Sequence, residues 1–427
     1  MYFIMRNFVI KFFRSFFTYF SFVLAGSFCG ILLVEAAARV YFTFDNRAVE
    51  PAQFWRSSPL PYKNAPYYND EFVTELVTLP QKIFLPEGTR LVLLHDLKEK
   101  FHSIVDGLRV TSDQPRNFNR RILLFGSSTV FGRFTPDEYT ITSYLQRMVN
   151  TTNQEARVEN LGFPTVRAFQ QLDLLKMIGI SPWDIVIFFD GASDIYHGVY
   201  LKEPSDAFSI RADGFRAPIE KKFLKILAKY KDKIFISRFL FNLIMSKDPD
   251  HLNRDDEVVK LTAQTTKAYE ATIKKAYEYT VSAGAKFFHI IQPNIFTQDP
   301  LSQYEVELLE NYLMTPSGMD VAFRQGNISL GGTSSRLEKY GIKSFNFRDI
   351  FNQKKNYIFI RDIFNQKKNK EEYYLDFIHI AHLGNAIIAN NIFQIIEKDL
   401  DSPLVESTTE TRKNKFGIPK YILDARG

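Results

Sequence analysis

The chain has 427 residues, 45% of them apolar, with a net charge of +6. That apolar share supports a sizeable core and excludes a broadly disordered chain. The charge is spread without an Arg/Lys stripe interleaved with aromatics, which argues against a nucleic-acid partner. Cys29 is the single cysteine, so neither an intrachain disulfide nor a cysteine-based metal site is available.

The run Ser15–Val34 carries no charge, while Arg6, Lys11 and Arg14 precede it. At about 1.5 Å per residue it matches a hydrocarbon core of about 30 Å. It reads as a single transmembrane anchor within residues 1–40. The basic flank places the N-terminus in the cytoplasm and the rest of the chain outside, in a periplasmic or extracytoplasmic location. Ala36-Ala37-Ala38 leaves a cleaved signal peptide open, although the apolar run exceeds the usual signal length.

Residues 41–118 are rich in Pro and Tyr, including Pro59, Pro61, Tyr62, Pro66, Tyr67 and Tyr68. They show little periodicity and read as an extended stalk or lead-in. From 119 to 400 the pattern changes to alternating strands and helices. Arg121–Gly126, Val158–Gly162, Trp183–Gly191 and Lys286–Pro293 are short apolar runs closed by Gly or Pro. Each reads as a buried strand of a parallel sheet. Helical spacing occupies Tyr139–Val149, Arg167–Ile178 and Val258–Val281. The alternation implies an α/β domain with a doubly wound, mostly parallel sheet.

The strand pattern stops over about 197–255, which reads as an insertion. Within it, Lys221, Lys222, Lys225, Lys229, Lys231 and Lys233 surround Phe223, Leu224, Ile226 and Leu227. This fits a solvated helix face, with a basic helix against membrane or anionic glycan as the alternative. RDIFNQKKN occurs at Arg348–Asn356 and again at Arg361–Asn369. Two short copies make no solenoid and read as a duplicated loop. Residues 401–427 form a C-terminal tail.

Ligands of an open parallel sheet bind beyond the carboxyl ends of its strands. There the sequence places Gly126-Ser127-Ser128-Thr129, then Gly162, then Gly191-Ala192-Ser193-Asp194. Late in the chain comes Asp376-Phe377-Ile378-His379. A carboxylate three residues before a histidine can hold the imidazole in one tautomer, leaving its other nitrogen to take a serine proton. Each segment alone is ordinary: a polar turn, a turn glycine, a helix start. Their chain order carries the signal. No His/Asp/Glu cluster has metal-ligand spacing, so no metal or cofactor is expected. A Rossmann glycine motif is absent after the first strand, and Val130 breaks the Gly-x-Ser-x-Gly elbow.

From Arg121 to about Ile396 the chain resembles the SGNH (GDSL-like) hydrolase family, of the membrane-anchored bacterial type. The family's first block falls on Gly126-Ser127-Ser128-Thr129, its second-block glycine on Gly162, its third block on Gly191–Asp194 and its fifth on Asp376–His379. The resemblance implies a flavodoxin-like SGNH fold and a triad of Ser128, His379 and Asp376. It further implies an oxyanion hole from the N–H groups of Ser128 and Gly162 with the side chain at 193. Two positions depart from the pattern. Ser127 replaces an aspartate, and Ser193 replaces an asparagine. The activity implied is a serine esterase or acyltransferase, a hydrolase or transferase acting on ester bonds through an acyl-enzyme. The expected substrate is an acylated carbohydrate, such as an envelope polysaccharide, or another ester, including lipid-linked ones. The alternative is a weakened SGNH-fold protein that binds a glycan or an envelope partner. In the enzyme reading His382 is a surface or supporting residue, and His197 and His289 are structural.

Overall fold

A computed structural model describes residues 60–62, 65–83, 94, 96–202, 255–310, 319–352 and 372–400, with Gly26 and Gly30. The expected anchor 15–34 (but for those two glycines), the basic stretch 216–233, nearly all of the insertion, the second copy of the duplicated run and the tail lie outside the described residues. Among the described residues no helix is long and apolar enough to cross a membrane. The fold below belongs to the compact unit Glu50–Ala212 with His251–Gly427.

Its first elements come from the segment read as a stalk. These are helix α1 (Asp70–Ile83) and short strands β1 (Leu97–Lys98), β2 (Ser103–Val105) and β3 (Leu108–Arg109). The parallel strands follow: β4 (Arg120–Gly126), β5 (Ala156–Gly162), β6 (Ile185–Asp190), β7 (Lys286–Ile291) and β8 (Lys343–Asn346). The helices between and after them are α2 (Ser128–Phe131), α3 (Ile141–Val149), α4 (Ala168–Ile178), α5 (Ala192–Ile195), α6 (Asp255–Ser282), α7 (Gln303–Glu310), α8 (Met319–Lys339) and α9 (His382–Leu400).

One mixed sheet runs in the order β1-β2-β3-β5-β4-β6-β7-β8. β4 through β8 are parallel, and β3 joins β5 antiparallel. The parallel part is the doubly wound order 2-1-3-4-5, in which the chain leaves β4 first to one side and then to the other. Right-handed crossovers in opposite directions put helices on both faces. Accordingly α3 packs on α9, while α6 packs on α4 and α8. Burial from both sides explains why β6 reads Ile-Val-Ile-Phe-Phe-Asp with no alternation, all six residues buried. Phe125 and Phe188 meet at 5.0 Å between ring centres. Such side chains contribute about 1.5–3 kcal/mol each when fully buried.

The lead-in needs correction. The span 41–118 is not merely a stalk ahead of a domain starting at 119, because β1–β3 extend the sheet past β5. Its side chains are locked in by buried polar pairs. Arg109 Nε lies 2.7 Å from Asp137 Oδ1, and His102 Nδ1 lies 2.8 Å from Glu75 Oε1. Tyr62, Tyr67 and Phe72 form a second apolar cluster with Phe101, Phe134, Leu375 and Ala381. Strands of two or three residues are too short to show a period of two, so β1–β3 give no pattern along the chain, whereas the buried Phe72, Val73, Leu76 and Leu79 of α1 do have helical spacing. β8 and α8 were not read from the sequence either. β8 is a four-residue edge strand with mixed burial, and α8 carries Gly326, Gly331 and Gly332 within its span.

Candidate active site

The site lies at the carboxyl ends of β4, β5 and β6, where Gly126 is paired in register with both Gly162 and Phe189. β4 ends at Gly126 and the chain turns directly into α2, so Ser128 is the first residue of a short helix. Gly162 permits this. A Cβ on it would sit 2.2 Å from the Phe131 backbone nitrogen, a clash that backbone cannot relieve. Asn160 ties the same helix to β5 by donating to the Val130 carbonyl at 2.8 Å.

The histidine arrives on a different support. Leu375 N–H donates to the His379 carbonyl and Ala381 N–H to that of Tyr373, and Tyr374 bridges Ile380. These bonds close Tyr373–Ala381 into a tight loop. Within it Asp376 Oδ1 accepts the N–H groups of Ile378 at 2.8 Å and His379 at 2.7 Å. That is an Asx turn, in which the side chain stands in for a backbone carbonyl. The other oxygen, Oδ2, accepts from His379 Nδ1 at 2.6 Å. A carboxylate can only accept, so Nδ1 carries the hydrogen and Nε2 is the free acceptor. Nε2 lies 2.7 Å from Ser128 Oγ, within the range for proton transfer. The loop duplication upstream of Asp376 therefore leaves the pair within reach of Ser128.

Burial pushes the Asp376 carboxyl up, but the imidazole and the hydrogen bonds outweigh it and hold the group below its ordinary value. It is thus kept as the anion that orients His379. The Phe134 ring meets the imidazole edge-on, 4.5 Å between centres. The lead-in braces this ring, since Tyr62 OH donates to the Phe134 carbonyl at 2.5 Å. Sequence reasoning missed Phe134, Arg133 and Tyr62. Nothing in the spacing of these residues marks them, and only the tertiary packing brings them to the triad.

The expected oxyanion donors are arranged unequally. Ser128 N–H heads α2 and has no acceptor among the described residues. The Gly162 N–H instead donates to Asn160 Oδ1 at 3.0 Å. Ser193 sits in the first turn of α5 and is 8% exposed. Its hydroxyl has no partner among the described residues. Gly191, before it, has φ of 104°, which strongly favours glycine there. Asp194 is engaged elsewhere. Its two oxygens accept the Ala168 N–H at 3.3 and 3.2 Å and so pin the start of α4. Burial pushes it up to about 6, against the pull of Arg167.

The remaining histidines are accounted for by packing. Of the two places expected for His382, on the surface or in a supporting position, burial excludes the first. The residue is 2% exposed, opens α9 and meets the rings of Tyr67 and Tyr139 edge-on at 5.5 and 6.0 Å. His197 is also buried. His289 is fully buried between Tyr269 OH, 2.6 Å from Nε2, and Ser344 Oγ, 2.7 Å from Nδ1. Tyr269 in turn donates to Asp190. Among the described residues, no group of three His, Cys, Asp or Glu side chains is placed to hold a metal.

No protein-family model matches the chain, and no curated protein is significantly similar to it. Solved structures do align. A member of the lipolytic G-D-S-L family from Veillonella parvula is 13% identical, covering 66% of this chain and 100% of its own, with a TM-score of 0.34. A catalytic variant of an acetylxylan esterase from Geobacillus stearothermophilus is 13% identical, covering 68% and 99%, with a TM-score of 0.33. A lipase/acylhydrolase from Enterococcus faecalis is 12% identical, covering 67% and 100%, with a TM-score of 0.36.

Proposed function

We propose that the chain is a serine ester hydrolase or acyl-ester transferase of SGNH type, with Ser128 as nucleophile, His379 as base and Asp376 as its orienting anion. The observation that carries this reading is the hydrogen-bonded series Ser128 Oγ, His379 Nε2 at 2.7 Å, and His379 Nδ1 to Asp376 Oδ2 at 2.6 Å. In the reaction, His379 Nε2 takes the Ser128 proton as Oγ attacks the ester carbonyl. The tetrahedral oxyanion draws on the Ser128 N–H, on the Ser193 hydroxyl and on the Gly162 N–H, which would have to share Asn160. The C–O bond to the alcohol then breaks, and the imidazolium returns its proton to that alcohol. Water or a second hydroxyl, deprotonated by His379, attacks the acyl-enzyme and restores Ser128. Water gives hydrolysis and a sugar hydroxyl gives transfer. The uncharged run at 15–34 supports an anchored protein with its site outside the cytoplasm, and hence an envelope glycan or lipid-linked ester as substrate.

The test is labelling of the purified full-length protein with a fluorophosphonate, beside Ser128→Ala and His379→Ala. Labelling of the parent that both variants lose supports an activated serine. A folded parent that resists the probe points to the second reading, a binding protein that keeps the fold. That reading is favoured by the serine at 193 and by the engaged Gly162 N–H.

A further inference from the structure

One cation beside the triad has no acceptor among the described residues. Arg133 is separated from the end of α2 by one residue, Gly132, and its N–H donates to the Ser128 carbonyl at 3.3 Å. Its guanidinium lies over the Phe134 ring at 5.1 Å, and the same ring contacts His379. The guanidinium and the imidazole therefore contact the same ring. Three other arginines on the strands of the sheet have acceptors. Arg109 pairs with Asp137 and donates to the Thr135 carbonyl at 2.9 Å. Arg120 donates to the carbonyls of Asp399 and Leu400, each at 2.7 Å. Arg121 meets Asp184 and donates to the Gly179 carbonyl at 3.0 Å. Arg133 has neither an ion pair nor a side-chain hydrogen bond among the described residues, although it is half-buried.

None of the guanidinium nitrogens of Arg133 is sealed from solvent, so this planar group with five donors is open to a ligand. Support of Asp376 does not explain it. Burial works against the Arg133 charge and the Asp376 carboxylate only partly favours it, while Asp376 is held by His379 and its own loop. Stacking on Phe134 fixes the fork in place, and the side chain retains partial access to solvent. A fork of this shape takes a carboxylate or phosphate through two parallel hydrogen bonds.

We propose that Arg133 is an anion-binding subsite of this active site, and that the ester substrate carries a carboxylate or phosphate within its reach. The proposal rests on the serine-ester reading above. It narrows the substrate class to acidic esters, such as acylated sugar acids or sugar phosphates.

The experiment measures acetate release by the full-length protein from three acetylated sugars: methyl glucoside, glucuronic acid and glucose 6-phosphate. Hydrogen bonds to charged groups predict kcat/KM about 10- to 100-fold higher for a charged ester than for the neutral one. The two charged arms distinguish carboxylate from phosphate. Arg133→Gln is expected to collapse the charged-to-neutral ratio towards one, chiefly through KM, and Arg133→Lys to retain part of it. A purely structural arginine would change all three rates together and leave the ratio intact. Equal turnover of all three by the parent, a ratio that survives Arg133→Gln, or fluorophosphonate labelling without turnover of either charged ester overturns the subsite. Absence of labelling in the folded parent overturns the serine-ester reading instead.

Discussion

The Nε2 of His379 lies 2.7 Å from the hydroxyl oxygen of Ser128, although 251 positions separate the two residues in the chain. Two independent constructions meet at that contact. One is the turn from β4 into α2, which needs Gly162 for clearance. The other is the closed loop around Asp376, which is braced through Phe134 by the lead-in.

The tautomer argument gives the first prediction. Asn at 376 keeps the shape but can offer its amide nitrogen to Nδ1, which favours the wrong ring hydrogen. Asp376→Asn is expected to lower kcat for a simple aryl ester by about 10⁴-fold with the fold retained. A loss below tenfold, with circular dichroism unchanged, would remove Asp376 from the orienting role.

The serine at 193 gives the second. An asparagine offers two donors at longer reach than one hydroxyl. Losing one oxyanion donor typically costs about 10²–10³ in rate. Ser193→Asn is therefore expected to raise kcat on an aryl ester by about 10- to 100-fold, with KM little changed. No gain in a folded variant would mean that the Ser193 hydroxyl already serves, or that position 193 does not face the oxyanion.

The brace behind the histidine gives the third. Tyr62→Phe removes the donor to the buried Phe134 carbonyl, which should cost about 1 kcal/mol of stability. Because Phe134 carries the imidazole edge, kcat should fall while KM holds. Urea unfolding and steady-state kinetics read the two effects separately. A kcat equal to the parent's would confine Tyr62 to stability.

Two buried imidazoles give the fourth. Burial pushes His289 down to about 3 and His382 down to about 4, against about 6.5 in an unfolded chain. Below pH ~6.5 the unfolded chain gains protons that the folded chain refuses. Each histidine thus removes about 1.4 kcal/mol of stability per pH unit until its folded value is reached. Glu159 and Asp194, pushed up to about 6 by burial, act in the opposite sense. The readout is therefore a difference. Between pH 7.5 and 5, His289→Gln should lose less urea stability than the parent. Equal losses would show that His289 is protonated without cost.

The residue types of the candidate site were legible because each rests on local chemistry. Apolar runs closed by glycine mark β4, β5 and β6, since a strand buried on both faces has no polar alternation to hide it. Asp376 and His379 sit close enough for an Asx turn to hold both, so their partnership is readable three residues apart. Ser128 stands out by its place after the first parallel strand.

Other features depended on long-range packing. Strands β1–β3 are too short for a period, so nothing along the chain marks the pairing of β3 with β5. His382 carries no mark of burial in the sequence, and the rings of Tyr67 and Tyr139 that pack against it lie far off along the chain.

By itself, then, the sequence determined the doubly wound α/β class and which serine, histidine and aspartate stand at strand ends and turns. Those properties follow from backbone pattern and from bonds between near neighbours. Only the tertiary structure decided that His379 reaches Ser128, that Gly162's N–H is engaged by Asn160, and that Arg133 and His379 contact the same Phe134 ring. Each of these depends on side chains brought together across the sheet's edge, where distance in space bears no relation to distance along the chain.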